Sequence, residues 1–124
     1  MNIIISNSSP DPIYEQISKQ LRQIILNGGL KGGDRLPSIR SLAKELQISV
    51  ITTKRAYEEL EKEGYIETIA GKGTYVSMQN NELLREQRLR LLESKAEEIV
   101  NESKFLQLSL EELQKMIAFL YKGE

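Results

Sequence analysis

The chain has 124 residues, 40% hydrophobic and 28% charged, with a net charge of −1. That balance fits one compact folded domain plus an appendage, and excludes a disordered chain. It contains no cysteine and no histidine. Disulfides, thiolate metal sites, the commonest general base and the best thiol nucleophile are therefore all missing, which argues against an enzyme.

No run approaches ~20 apolar residues, so no membrane-spanning helix is expected. Met1-Asn2-Ile3-Ile4-Ile5 has neither a basic stretch nor a small-residue cleavage site, so the expected compartment is the cytoplasm. The β-branched Ile3-Ile4-Ile5 predicts a short strand, ended by Asn7-Ser8-Ser9-Pro10. Asp11-Pro12 reads as a helix start, with Asp11 as cap and Pro12 in the first helical position. Ile13, Ile17, Leu21, Ile24 and Ile25 then recur at helical spacing until Asn27-Gly28-Gly29. Gly32-Gly33-Asp34 predicts a turn, and Arg35-Leu36 an extended piece before Pro37.

Ser38 is placed to cap a second helix through Leu46, with Ile39, Leu42, Ala43 and Leu46 inward. After the tight turn Gln47-Ile48, Ser49 caps a third helix to about Glu63, with Ala56, Tyr57 and Leu60 inward and Gly64 as the stop. Tyr65–Ile69 and Thr74–Ser77 are strand-like, and Ala70-Gly71-Lys72-Gly73 between them predicts a hairpin with a glycine-rich tip.

Beyond Met78 the character changes. Leu84, Leu89, Leu92, Ala96, Ile99 and Val100 form an apolar stripe on one helix from roughly Asn80 to Ser103. Ser109 and Glu112 match a capping box for a last helix carrying Leu110, Leu113, Ile117 and Leu120. A tail of about 47 residues is near the lower limit for folding alone, so its stripes must pack on the head or on a second copy. The expected division is a head over 1–78 and a helical dimerisation region over 79–124.

The basic residues Lys19, Arg22, Lys31, Arg35, Arg40, Lys44, Lys54 and Arg55 face only Asp34 and Glu45 in the same stretch. Glu58, Glu59, Glu61, Glu63 and Glu67 then reverse the sign. Such a dipolar surface can hold a polyanion on one side only. The helices Ser38–Leu46 and Ser49–Glu63 have the spacing of a helix-turn-helix, whose second helix enters the DNA major groove with its N-terminal residues leading. Here those are Ser49, Val50, Ile51, Thr52, Thr53, Lys54 and Arg55. Ser and Thr hydroxyls suit base edges or phosphates, Val50 or Ile51 a thymine methyl, and Lys54 or Arg55 phosphate or guanine. The narrow Gly71-Lys72-Gly73 tip suits a wing lying along a phosphate strand or in the minor groove. Arg35 is equally placed to pair with Asp34 or Glu45. Taken together, the fold class is mainly α with a small β-hairpin: a winged helix-turn-helix head and a two-helix tail.

Residues 11–77 resemble the N-terminal domain of the GntR family of bacterial transcription regulators. The matching stretches are Asp11–Ile17, Gly33–Ala43, Ala56–Ile66 and Gly71–Val76. The Pro-Ile-Tyr-Glu-Gln-Ile opening, the Ala-Tyr-x-Glu-Leu of the third helix and the short tail are similar to the YtrA-like subfamily. The resemblance implies a homodimer on a palindromic operator, usually a repressor, often of an ABC-transporter operon. It maps DNA contacts to Arg35, Arg40, Ser49, Val50, Thr52, Lys54, Gly71 and Lys72; Thr53 joins them from the leading stretch. The usual Leu-Gly-Val turn is here Leu46-Gln47-Ile48, and Val50-Ile51 replaces commonly polar positions. The tail is too short to enclose a pocket of ~300–1,000 Å³, so no cofactor is expected and any small-molecule effector belongs at the dimer interface. The competing class is a protein-interaction module, for which the tail would grip a different partner. An RNA-binding winged helix would carry exposed aromatics for stacking, and Lys19–Arg55 contains none.

Overall fold

The structure, a computed structural model, describes residues 1–78 and 81–123. Among these, the elements run α1 (Ile13–Leu26), α2 (Ile39–Leu46), α3 (Val50–Lys62), β1 (Ile66–Ile69), β2 (Gly73–Val76), α4 (Asn81–Phe105) and α5 (Leu110–Lys122). They fall into two compact units, Met1–Arg85 and Glu86–Glu124. The expected start of the tail helix at Asn80 lies outside the described residues.

The first unit is a winged helix-turn-helix. Both α1 and α2 pack on α3. Ile17, Leu21 and Ile25 of α1, Leu42 of α2, and Ala56 and Leu60 of α3 are fully buried, joined by Leu36, Tyr65, Ile66, Val76 and Leu84. Each such large apolar side chain contributes about 1.5–3 kcal/mol over leaving it in water. The expected caps of the motif are in place: Ser38 accepts from the Ser41 N–H, and Ser49 from the Thr52 N–H. The turn between α2 and α3 closes without a glycine because Gln47 adopts the left-handed conformation (φ 57°), at a cost of roughly 1–2 kcal/mol. The Ile48 N–H donates to the Ala43 carbonyl, which holds it there.

β1 and β2 pair antiparallel in the register Ile66↔Val76 to Ile69↔Gly73. The extended piece before Pro37 lies beside β2. The Leu36 N–H donates to Thr74 O at 2.8 Å, and the Val76 N–H donates to Asp34 O at 2.7 Å. The wing is thereby fastened to the segment that enters α2.

Two local expectations are corrected. Ile3-Ile4-Ile5 is not a strand. Among the described residues no strand lies beside it; instead the Gln20 carboxamide bonds both the N–H and the carbonyl of Ile4, and the Gln16 carboxamide does the same for Ser6. Two glutamines thus supply what a neighbouring backbone would. Asp11 does not cap α1. The cap position is Pro12, with no side-chain cap bond, and the Asp11 carboxylate pairs with Lys19 at 2.7 Å.

In the second unit the Ser109 capping box forms as expected, with Ser109 and Glu112 bonded reciprocally. Leu113 and Ser103 are buried. Leu92, Ile99, Ile117, Leu120 and Tyr121, in contrast, line an open apolar groove of about 560 Å³ between α4 and α5. Leu120 is 72% exposed.

Tyr57, 3% exposed, donates its hydroxyl to the Pro37 carbonyl at 2.7 Å and so ties α3 to the start of α2. Burial first, and then the charge of Glu45, push its phenol above the ordinary tyrosine range. A phenol held neutral in the fold supports stability fully below its unfolded pKa of about 10, and that support is lost as pH climbs from there through the folded value. Tyr57→Phe is expected to lower stability by about 1 kcal/mol at neutral pH and to flatten the alkaline decline, read by urea unfolding at a series of pH values.

Candidate nucleic-acid interface

The site is built on the two-sidedness of α3. Thr53, Ala56, Tyr57 and Leu60 face inward. On the opposite side Val50 (44% exposed), Ile51 (80% exposed), Lys54 and Arg55 face water. The Ser49 hydroxyl accepts from the Thr52 N–H at 3.0 Å and donates to Thr52 Oγ1 at 2.8 Å, so the two hydroxyls at the helix start are organised by one another. The N-terminal end of a helix carries partial positive charge and free N–H groups, which favours an anion there.

Thr53 is the one assigned contact that the structure turns away. It is fully buried and donates its hydroxyl to the Ser49 carbonyl. A threonine one turn from its cap satisfies its own helix, and the periodicity of Ala56, Tyr57 and Leu60 already includes position 53. Arg40, in the first turn of α2, is exposed.

The wing brings Arg35 into the same region as its tip. Gly71 and Lys72 are exposed at the turn, where the Lys72 carbonyl accepts from the Tyr75 hydroxyl at 3.2 Å. Gly73 has φ +127°, a conformation open essentially to glycine, and a Cβ there would lie 3.2 Å from two guanidinium nitrogens of Arg35. Arg35 therefore rests on a glycine backbone at the root of the tip. Among the described residues it forms no ion pair, with Asp34 or with Glu45; the Asp34 carboxylate accepts from the Lys31 N–H instead.

The basic stretch is thinned by pairing. Lys19 pairs with Asp11, Arg22 with Glu63, and Lys54 with Glu58 at 3.9 Å. Arg22 also stacks over Tyr65. Arg55 instead lies over the Tyr14 ring, 3.8 Å from its centroid. Ile51 and Arg55 belong to the leading stretch without being among the expected contacts, and both are prominent on the exposed face of α3. Tyr14 enters the sequence reading only within the family-like opening, since nothing in its spacing signals a ring set beside residue 55.

These features define the DNA-binding head of a winged helix-turn-helix transcription regulator. Comparison with known proteins agrees. Residues 13–76 match the family of bacterial regulatory proteins called gntR. The HTH-type transcriptional repressor YtrA of Bacillus subtilis is 37% identical over 115 residues, covering 93% of this chain and 88% of that one. Among solved structures, a transcriptional antiterminator from Listeria monocytogenes is 30% identical with a TM-score of 0.73, over 98% of this chain and 90% of that one. YtrA from Sulfolobus acidocaldarius, a GntR-family transcription factor, is 38% identical with a TM-score of 0.59, over 73% of this chain and 96% of that one. The chain belongs to the GntR family and to its YtrA-like branch. Its relatives regulate transcription and are not enzymes. Among the described residues no helix is long and apolar enough to cross a membrane.

Gly73→Ala is expected to strain the wing and displace Arg35, costing about 1–3 kcal/mol of stability in thermal or urea unfolding. A variant as stable as the parent would show that the left-handed backbone at the wing root is not required.

Proposed function

We propose that the chain is a cytoplasmic repressor that binds a palindromic operator as a homodimer. The observation that carries this reading is the presentation of Val50, Ile51, Lys54 and Arg55 on one exposed face of α3, behind a capped N-terminus, while the rest of that helix is anchored in the core. In this reading α3 enters the major groove. Ser49, Val50, Thr52 and Lys54 lead, and Arg40 meets the backbone beside it. Arg35, Gly71 and Lys72 follow the adjacent phosphates or minor groove. Resemblance to the YtrA-like branch supports control of an ABC-transporter operon. One head reaches one half-site, so two heads spaced by about 34 Å along the duplex complete the contact.

The homodimer is proposed to form through 79–124, with 1–78 as the DNA-binding head. Leu89, Leu92, Ile99, Ile117, Phe119 and Leu120 are all exposed, and a second copy offers the same apolar surface in return. Any effector would sit at that interface.

The deciding experiment is selection of bound sites from random duplexes. A recovered palindrome supports the reading; a single unrepeated motif, or none, contradicts it. Within that site Ile51 is expected to contact a thymine methyl, because an aliphatic side chain offers no hydrogen bond to a base edge. Replacing the contacted thymine by deoxyuridine should cost about 0.8 kcal/mol for wild type and nothing further for Ile51→Ala, read by gel-shift titration. Arg40→Ala and Lys54→Ala should each weaken operator binding by roughly 1–3 kcal/mol in the same assay. Leu120→Glu is expected to convert the dimer to monomer in light scattering, with a matching loss of operator affinity. An unchanged mass, or a wild-type monomer, would favour a tail that grips a different partner.

A further inference from the structure

Arg55 stands apart from the other cations partnered on α1 and α3. Lys19, Arg22 and Lys54 each face a carboxylate. Arg55 has no ion pair and no hydrogen bond among the described residues; its partner is the face of Tyr14, at 3.8 Å from the ring centroid. The two kinds of partner have opposite consequences. A carboxylate neutralises a guanidinium and occupies its N–H groups. An aromatic face holds the guanidinium plane in place, leaves its full charge, and leaves its N–H edge open. A planar cation fixed in this way loses less freedom when it meets a second group, and its fork matches two phosphate oxygens.

Position adds to this. Arg55 lies one turn beyond Ile51 on the exposed side of α3, while Tyr14 lies in the first turn of α1, half-buried beside it. The stack therefore tilts Arg55 toward α1, away from Val50 and the base-reading end. Resting on the DNA-binding reading above, we infer that Arg55 is a phosphate-binding residue and that Tyr14 is its positioning residue. The pair clamps the sugar-phosphate strand at the groove edge next to α1. The ligand is a backbone phosphodiester and not a base, so the contact is blind to sequence.

The test uses the full-length protein with two duplexes of equal length, one recovered by site selection and one unrelated, titrated at several salt concentrations. Arg55→Ala should weaken both by the same factor, on the order of tenfold at ~0.1 M salt, and lower the slope of log affinity against log salt by about one. Tyr14→Leu should reproduce much of that loss, while Tyr14→Phe, which keeps the ring face, should bind as wild type does. A purely structural brace between α1 and α3 predicts otherwise: a lower melting temperature in Arg55→Ala and Tyr14→Leu with the wild-type salt slope. That outcome overturns the inference, as does a loss confined to the selected duplex, which would make Arg55 a base contact. If wild type binds neither duplex, the DNA-binding reading itself fails, and this inference with it.

Discussion

One helix has to satisfy two neighbours at once. The inward side of α3 closes the core against α1 and α2, and its outward side is the proposed reading surface. The two demands meet at residues 49–57. Ser49 caps the helix, Thr53 returns its hydroxyl to the Ser49 carbonyl, and Tyr57 reaches the Pro37 carbonyl. The first two lie within the helix and turn with it; the Tyr57 bond, together with the burial of Thr53, Ala56, Tyr57 and Leu60, fixes the rotation of the helix about its axis. A rotation by one residue, about 100°, would bury Lys54 and expose Ala56. The choice of outward residues is thus decided by the inward ones.

Charge is organised with similar economy. A chain with net charge −1 cannot rely on bulk attraction to a polyanion. Pairing removes much of the basic stretch from consideration: Lys19 and Arg22 stabilise α1, and the pair between Lys54 and Glu58 is long and exposed, so it competes weakly with a phosphate. Lys31, Arg35, Arg40, Lys44 and Arg55 form no ion pair among the described residues, and three of them, Arg35, Arg40 and Arg55, belong to the wing root and the helix-turn-helix surface. Arg35 rests on a glycine and Arg55 on a tyrosine ring. Local positioning of a few cations substitutes for a large positive field.

Much of this was legible beforehand, for identifiable reasons. Ser38, Ser49 and Ser109 are caps followed by strong helical periodicity, and a cap is a local signal. The hairpin was marked by glycines whose backbone needs are also local. Failures occurred where the partner is distant in sequence. Ile3-Ile4-Ile5 has strand propensity, but Gln20 takes the backbone bonds of Ile4 and Gln16 those of Ser6 just after it, and propensity carries no information about a carboxamide sixteen residues on. Asp11 found Lys19 in place of the helix end. The Arg55–Tyr14 stack joins residues 41 positions apart and follows only from how α1 lies on α3. Thr53 is different: the same periodicity that buries Ala56 and Leu60 turns it inward, and its hydroxyl is satisfied by the Ser49 carbonyl of its own helix.

The tail shows what a short chain does when it has more apolar surface than its own fold consumes. In the second unit Leu113 is buried, yet Leu92, Ile99, Ile117, Leu120 and Tyr121 line an open groove. Monomeric proteins rarely leave so continuous an apolar surface in water. In the proposed homodimer the same apolar surface on a second chain covers it, since a two-fold axis sets the patch against its own copy. The symmetry that would relieve the tail is also the symmetry of a palindrome. In the proposed homodimer, hydrophobic burial in the tail and the reading of two half-sites are one event.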